Sequence, residues 1–379
     1  MYRYCERCER ETFDGNLWCQ DKDCPAEKGY ALLAYGDVLG DLKVTKFVRV
    51  WRTAALYEAE RDGKPVLLKV AHPGEAYADR LRREAGVLAS IAPKSSGMGA
   101  TVRSFLPSSR ALYPVPLPPY PGRSKRPYGE ITFRGEPKVY SVYQPVQGKI
   151  LSDLLLETPQ VWHTQAAWVI ASIAKALRPL AKSQRVHLSL TPDIIMVDTD
   201  TDGNLRPTLL DLGFLVAADE ADGQYDWMAM CEPAYTAPEV LAGDHSSNLS
   251  PAADVYSLGM ILFEMLAGKP GYEHVLRRDE QLRDAVLQIR KPLSVGRPEL
   301  EQSGVVSVLE RAVAPSGRYD TVVEFSKDLN KIYSAPPPER RKAPRRMYVL
   351  LGVLGVVLLG AGVIAAITLL QILAGAGAP

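Results

Sequence analysis

The spacing of apolar positions changes several times along the chain. Val66-Leu67-Leu68-Lys69-Val70 is a short β-rich run carrying one lysine, and Leu81-Arg82-Arg83-Glu84-Ala85-Gly86-Val87-Leu88 then shows helical spacing. Mixed signals of this kind run from about Gly36 to Tyr333 and predict an α+β body. The stretch from Ser334 to Arg346 holds Pro336-Pro337-Pro338 followed by Arg340, Arg341, Lys342, Arg345 and Arg346, too polar and proline-rich to pack as core. From Tyr348 to Leu373 there are 26 residues without a charge. As a helix that is about 39 Å long, against a hydrocarbon core of roughly 30 Å, which predicts one transmembrane helix over 347–374. Five basic residues precede the span and none follows, so the positive-inside rule places the body in the cytoplasm. Within the span, Ala361 and Ala365, and Gly362 and Ala366, stand four apart and offer a face for dimerisation.

Composition narrows the class. With 379 residues, 46% hydrophobic and 23% charged, the chain is globular rather than disordered. A formal net charge of +1 gives no general drive toward nucleic acid, and no nucleic-acid partner is expected. The opening Met1-Tyr2-Arg3-Tyr4-Cys5-Glu6-Arg7 has no apolar stretch after its charges and does not read as a secretory signal. Four regions follow: a cysteine-rich head (1–34), the body (35–334), a Pro/Arg linker (335–346) and the membrane span.

Four of the five cysteines lie in the head, as Cys5-x2-Cys8 and Cys19-x4-Cys24. In a reducing compartment, two paired thiolate hooks predict one tetrahedral Zn²⁺, and a segment this short needs such a staple to fold. With sulfur in all four positions no site stays open for water, so the ion is structural and the head looks like a small zinc ribbon. The competing reading is four surface thiols. Cys231 reads as a small buried residue.

The body carries ordered landmarks: the Lys69 strand, the Glu84 helix, Val186-His187-Leu188-Ser189-Leu190-Thr191-Pro192, Leu209-Leu210-Asp211-Leu212-Gly213, Ala237-Pro238-Glu239 and Asp254-Val255-Tyr256-Ser257-Leu258-Gly259. In this order they resemble the protein-kinase signature set, most closely that of bacterial Ser/Thr kinases. The resemblance implies a two-lobed fold with the N-lobe ending near 146. It assigns Lys69 to the α/β-phosphates of ATP, Glu84 to its helix partner, and Asp211 to Mg²⁺. It also pairs Glu239 with Arg318 and makes Asp254 the anchor of the catalytic-loop backbone.

Against that pattern the chemistry is depleted. Ser189 stands at the catalytic-base position and Ile194 at the second Mg²⁺ position; a neutral hydroxyl takes no proton as a carboxylate does, and isoleucine offers a cation no oxygen. Asp193, one residue away, is expected to point elsewhere. Arg49, Trp51 and Ala54 occupy the three glycine positions of the phosphate loop, and Leu67 stands where alanine roofs the adenine. Pro145 removes one backbone N–H from the hinge segment Tyr143-Gln144-Pro145-Val146. Between Gly213 and Thr236 there is no serine or threonine to phosphorylate, Tyr225 is the residue expected to be open to phosphorylation, and Leu188 replaces the arginine that would answer a phosphate. Glu232 replaces a threonine that bonds the catalytic aspartate. An insert at 97–128, with seven prolines, five Lys/Arg and no acid, reads either as a solvated loop or as a partner-docking segment.

These features predict a membrane-anchored pseudokinase acting as scaffold or allosteric regulator of a protein partner, with Zn²⁺ in its head. Two alternatives stay open. One is an active atypical Ser/Thr kinase, and the other is a switch that senses ATP through Lys69, Glu84 and Asp211 without transferring phosphate.

Overall fold

The computed structural model describes residues 3–4, 11–12, 30–91, 112–120, 126–182, 185–217, 230–242, 249–272, 279–288 and 294–333. Cys5, Cys8, Cys19, Cys24, Tyr225, the Pro/Arg linker, the apolar stretch 348–373 and most of the insert lie outside these residues. Among the described residues no helix is long and apolar enough to cross a membrane, and no cluster of His, Cys, Asp and Glu forms a metal site.

In the head, β1 (Arg3–Tyr4) pairs antiparallel with β2 (Glu11–Thr12) and with β3 (Tyr30–Ala31). Cys5 and Cys8 thus fall between β1 and β2 in the chain, and Cys19 and Cys24 between β2 and β3.

A seven-stranded sheet builds the N-terminal lobe: β4 (Val38–Leu39), β5 (Leu42–Val50), β6 (Ala54–Arg61), β7 (Lys64–Ala71), β10 (Glu136–Tyr143) and β8 (Pro116–Leu117) in that order, with β9 (Gly129–Phe133) also on β10. Two hairpins form because their turns accept left-handed backbone. Asp62 and Gly63 (φ 51° and 70°) join β6 to β7, and Arg134 and Gly135 (φ 51° and 81°) join β9 to β10. The continuous apolar run of β7 is buried from Val66 to Ala71, and that burial carries Lys69 inside. Helix α1 (Glu75–Ile91) buries Ala78, Arg80, Leu81, Glu84, Ala85 and Leu88. Their i, i+3, i+4 spacing makes one face, and Arg80 and Glu84 share it one turn apart.

The C-terminal lobe is mainly helical: α2 (Leu151–Glu157), α3 (His163–Lys182), α4 (Pro238–Leu241), α5 (Ala252–Ala267), α6 (Asp279–Gln288), α7 (Val305–Val313) and α8 (Val322–Ile332). Helices α3 and α5 are its apolar centre; α5 is buried from Ala253 to Phe263 and stops at Gly268, whose φ of 74° suits the αL cap. Thr321 caps α8 by accepting the Glu324 N–H at 3.3 Å. A small sheet of β11 (Lys149–Ile150), β13 (Ile195–Thr199) and β14 (Leu205–Leu209), and the ladder of β12 (Arg185–Val186) with β15 (Val216–Ala217), hold the two loops that carry the motifs.

Candidate functional site

The motif loops meet between the lobes. His187 and Leu188 follow β12, and their N–H groups donate to the Asp254 carboxylate at 2.9–3.1 Å. Leu188 takes φ 60° there, so the buried carboxylate holds a backbone that a leucine rarely adopts. The His187 ring settles the next layer. Its Nε2 lies 3.0 Å from the Asp211 carbonyl and its Nδ1 accepts the Ser189 N–H at 3.2 Å, which together require the neutral Nε2–H tautomer. Burial pushes its pKa down to about 4. Gly213, φ 65°, is needed at this point: a Cβ would meet the His187 carbonyl oxygen at 2.1 Å.

Lys69, Glu84 and Asp211 come together as a buried cluster. Lys69 Nζ donates to both Glu84 oxygens at 2.8 and 2.6 Å and to Asp211 Oδ2 at 2.5 Å. The other Asp211 oxygen accepts the Gly213 N–H at 2.7 Å and a guanidinium N–H of Arg80. Burial alone raises a carboxyl, yet Arg80 and Lys69 hold Asp211 well below the usual range. Glu84 goes the other way: burial, with Asp211 adding to it, outweighs Lys69 and raises it. This set does not fit a Mg²⁺ at Asp211, because protein donors already take both oxygens.

Ser189 is half-buried on the catalytic loop, while Ile194, in the short 3₁₀ turn Pro192–Ile194, is buried in the apolar cluster. Asp193 bonds to residues outside the cluster at Asp211. Its Oδ1 accepts from Ser152 Oγ at 2.7 Å and lies 3.7 Å from Arg49.

The loop joining β5 to β6 reaches the C-terminal lobe. Trp51 is 7% exposed and shares an apolar cluster with Leu56, Leu67, Leu88, Tyr143 and Leu212. The Lys69 ammonium sits 5.0 Å from the centre of its ring, and its Nε1 donates to the Asp193 carbonyl at 3.1 Å. On either side, Arg49 donates to Asp153, and Arg52 bonds Glu232 at 2.8 Å and Asp279 at 2.5 and 3.0 Å. Residues 49–53 therefore form a strap from the N-terminal sheet onto the C-terminal lobe.

Arg318 pairs with Glu239 at 2.5 and 3.3 Å and with the Ala252 carbonyl at 3.2 Å. Cys231 is buried with its thiol donating to the Leu188 carbonyl, and burial pushes its pKa up to about 12, so it is inert. Tyr235, the other tyrosine of the activation segment, is buried with its hydroxyl 2.6 Å from Glu264.

Sequence reasoning missed Arg80, Arg52 and Asp279. The i−4 spacing of Arg80 from Glu84 was a usable signal, and so was the exchange of a neutral threonine for Glu232 opposite a new arginine. Asp279 gave none.

A bilobal fold with a Lys–Glu–Asp cluster between its lobes and an aspartate-anchored His loop defines a protein-kinase-like molecule. The chain matches the model described as "Protein kinase domain" over residues 130–321, and it belongs to that family. The matched span starts beyond the strap and Lys69. The chain is 27% identical over 222 residues to the serine/threonine-protein kinase PknB of Mycobacterium leprae, covering 56% of this chain and 33% of that protein. It is 29% identical over 237 residues to PknA of Mycobacterium tuberculosis, covering 59% of this chain and 52% of that one. The chain thus spans between a third and about half of these relatives' length. Among solved structures, a double mutant of the Mycobacterium tuberculosis PknI kinase domain superposes with TM-score 0.51 at 19% identity, covering 80% of this chain and 99% of that domain, which shows a common fold.

Proposed function

We propose that this protein is a pseudokinase, a kinase-fold scaffold or allosteric regulator that recognises a protein partner and transfers no phosphate. The observation that carries the reading is Trp51, buried against Lys69 where the loop of an active relative would cover phosphates. Ser189 and Ile194 support it: neither the base position nor the second metal position offers a carboxylate or an amide oxygen. General-base catalysis is worth about 10²–10⁴-fold, and the filled loop adds to that loss. The intact Lys69–Glu84 pair favours a second reading, a nucleotide-sensing switch.

The reading extends to the ends of the chain. The short β1–β3 sheet supports a ribbon-like head in which Cys5, Cys8, Cys19 and Cys24 hold one Zn²⁺. The uncharged stretch 348–373 with its basic flank supports a single-pass anchor with the body in the cytoplasm, and its small-residue spacing supports a dimer.

The test is radiolabelled γ-phosphate transfer by the full chain in detergent, beside an Asp211→Asn control, with and without a general kinase substrate. No transfer above the control is expected. Transfer that disappears in the control would overturn the pseudokinase reading, and a melting-temperature rise with ATP but no transfer would favour the switch.

A further inference from the structure

The buried cluster at Asp211 is balanced without a metal. Lys69 and Arg80 bring two positive charges and Glu84 and Asp211 two negative ones, and none of the four side chains is more than 2% exposed. Arg80 reaches Asp211 from the same face of α1 that presents Glu84 to Lys69, so one helix delivers an anion to the lysine and a cation to the aspartate. The Phe214 ring, centred 5.4 Å from the guanidinium carbon, fixes the arginine from another side. Its Nε is buried and meets no acceptor among the described residues, so the ion pair with Asp211 is the polar contact that holds the guanidinium here. That charge is permanent, because a guanidinium is not deprotonated in proteins.

We propose that Arg80 supplies, as a built-in cation, the positive charge that a divalent ion would bring to Asp211, so that this cleft is closed to Mg²⁺ and any ligand it takes binds without metal. The proposal deepens the pseudokinase reading and rests on it for what the cleft has lost. Mg²⁺ demands near-octahedral oxygen ligands at about 2.0–2.1 Å. Here Oδ1 is held by Arg80 and Gly213, Oδ2 by Lys69, and the side chain at the second metal position is Ile194. An entering dication must either expel a buried guanidinium or share one carboxylate with it. Removing Arg80 leaves the remaining three groups with a net charge of about −1 and frees one side of Asp211.

The experiment uses Mn²⁺ as a paramagnetic probe, read by water-proton relaxation, on the full chain in detergent as wild type, Asp211→Asn, Arg80→Ala and Arg80→Ala with Asp211→Asn. Wild type is expected to show no Mn²⁺ binding that depends on Asp211. Arg80→Ala is expected to gain a site about tenfold or more tighter, displaced by Mg²⁺ and abolished by adding Asp211→Asn. Asp211-dependent Mn²⁺ binding by wild type, or a folded Arg80→Ala no better than wild type, overturns the proposal. Should Arg80→Ala not fold, Arg80→Gln replaces it. If that fails too, wild type decides alone: a melting temperature unmoved by Mg²⁺ supports the proposal, and an Asp211-dependent rise overturns it. Failure here with phosphate transfer still absent leaves the pseudokinase reading intact.

Discussion

Trp51 keeps its indole within the cluster that holds Leu67 and Leu212, and its single N–H finds the Asp193 carbonyl. The indole therefore loses nothing by being buried, and under the proposed function it fills volume that a nucleotide would need. Truncation removes both the packing and the hydrogen bond. Trp51→Ala is expected to lower stability by about 3–5 kcal/mol in urea unfolding. The same variant should bind a fluorescent adenine nucleotide more tightly than wild type when the two are compared below their unfolding transitions. A stability loss without any gain in nucleotide binding would mean the indole packs beside the cleft rather than in it.

The strap converts a loop into a tie between lobes. Arg52 is 9% exposed and bridges Glu232 to Asp279 at the start of α6, so cutting it removes the charge-assisted bonds to both carboxylates. Charge-assisted bonds of this kind contribute about 1.5–3 kcal/mol, and Arg52→Ala is expected to cost that much. Amide hydrogen exchange should quicken in residues 50–54 and 230–236 before the rest of either lobe; a uniform change across both lobes would count against a tie. Elements of this type were the least legible in the sequence. Lys69, Asp211, Asp254 and the Glu239–Arg318 pair could be placed in advance because each sits in a short motif whose order along the chain resembles the protein-kinase set. The strap's partners lie between 104 and 227 residues away, and no local period encodes such contacts. Arg49, Trp51 and Ala54 announced that the loop had changed, but not that it would bind the C-terminal lobe. Arg80 was hidden for a different reason. A helical arginine usually covers a surface, and only burial of its whole face put it against Asp211.

Over the whole molecule, buried titratable groups set how stability follows pH. Burial holds both His72 and His187 down to about 4, so between pH 6.5 and 4 the unfolded chain takes up protons that the folded chain refuses. Their contribution is complete above about pH 6.5 and is lost as pH falls through that window, at up to about 1.4 kcal/mol per unit for each ring. Asp254 opposes them: burial, against the N–H groups of His187 and Leu188, pushes it up to about 7, which adds stability at low pH that disappears as pH rises through 7. Glu84, raised by burial, acts in the same sense as Asp254, so the imidazole contribution is isolated by substitution: relative to His72→Gln, wild type is expected to lose stability as pH drops from 6.5 to 4, by up to about 1.4 kcal/mol per unit in urea unfolding. A difference between the two that does not change with pH would contradict a depressed His72. The proposed anchor is the other property of the entire chain, and it rests on a stretch, 348–373, that carries no charge and follows five basic residues. Chain ending at Tyr333 is expected to fractionate as soluble protein and the full chain with membranes, resisting extraction by high salt or carbonate. Protease added to intact cells should leave the body uncut, and protease added to inverted vesicles should remove it. Full-length protein that stays soluble without detergent, or a body cleaved from outside, would remove the anchor from the proposed function and leave the pseudokinase reading of the cleft untouched.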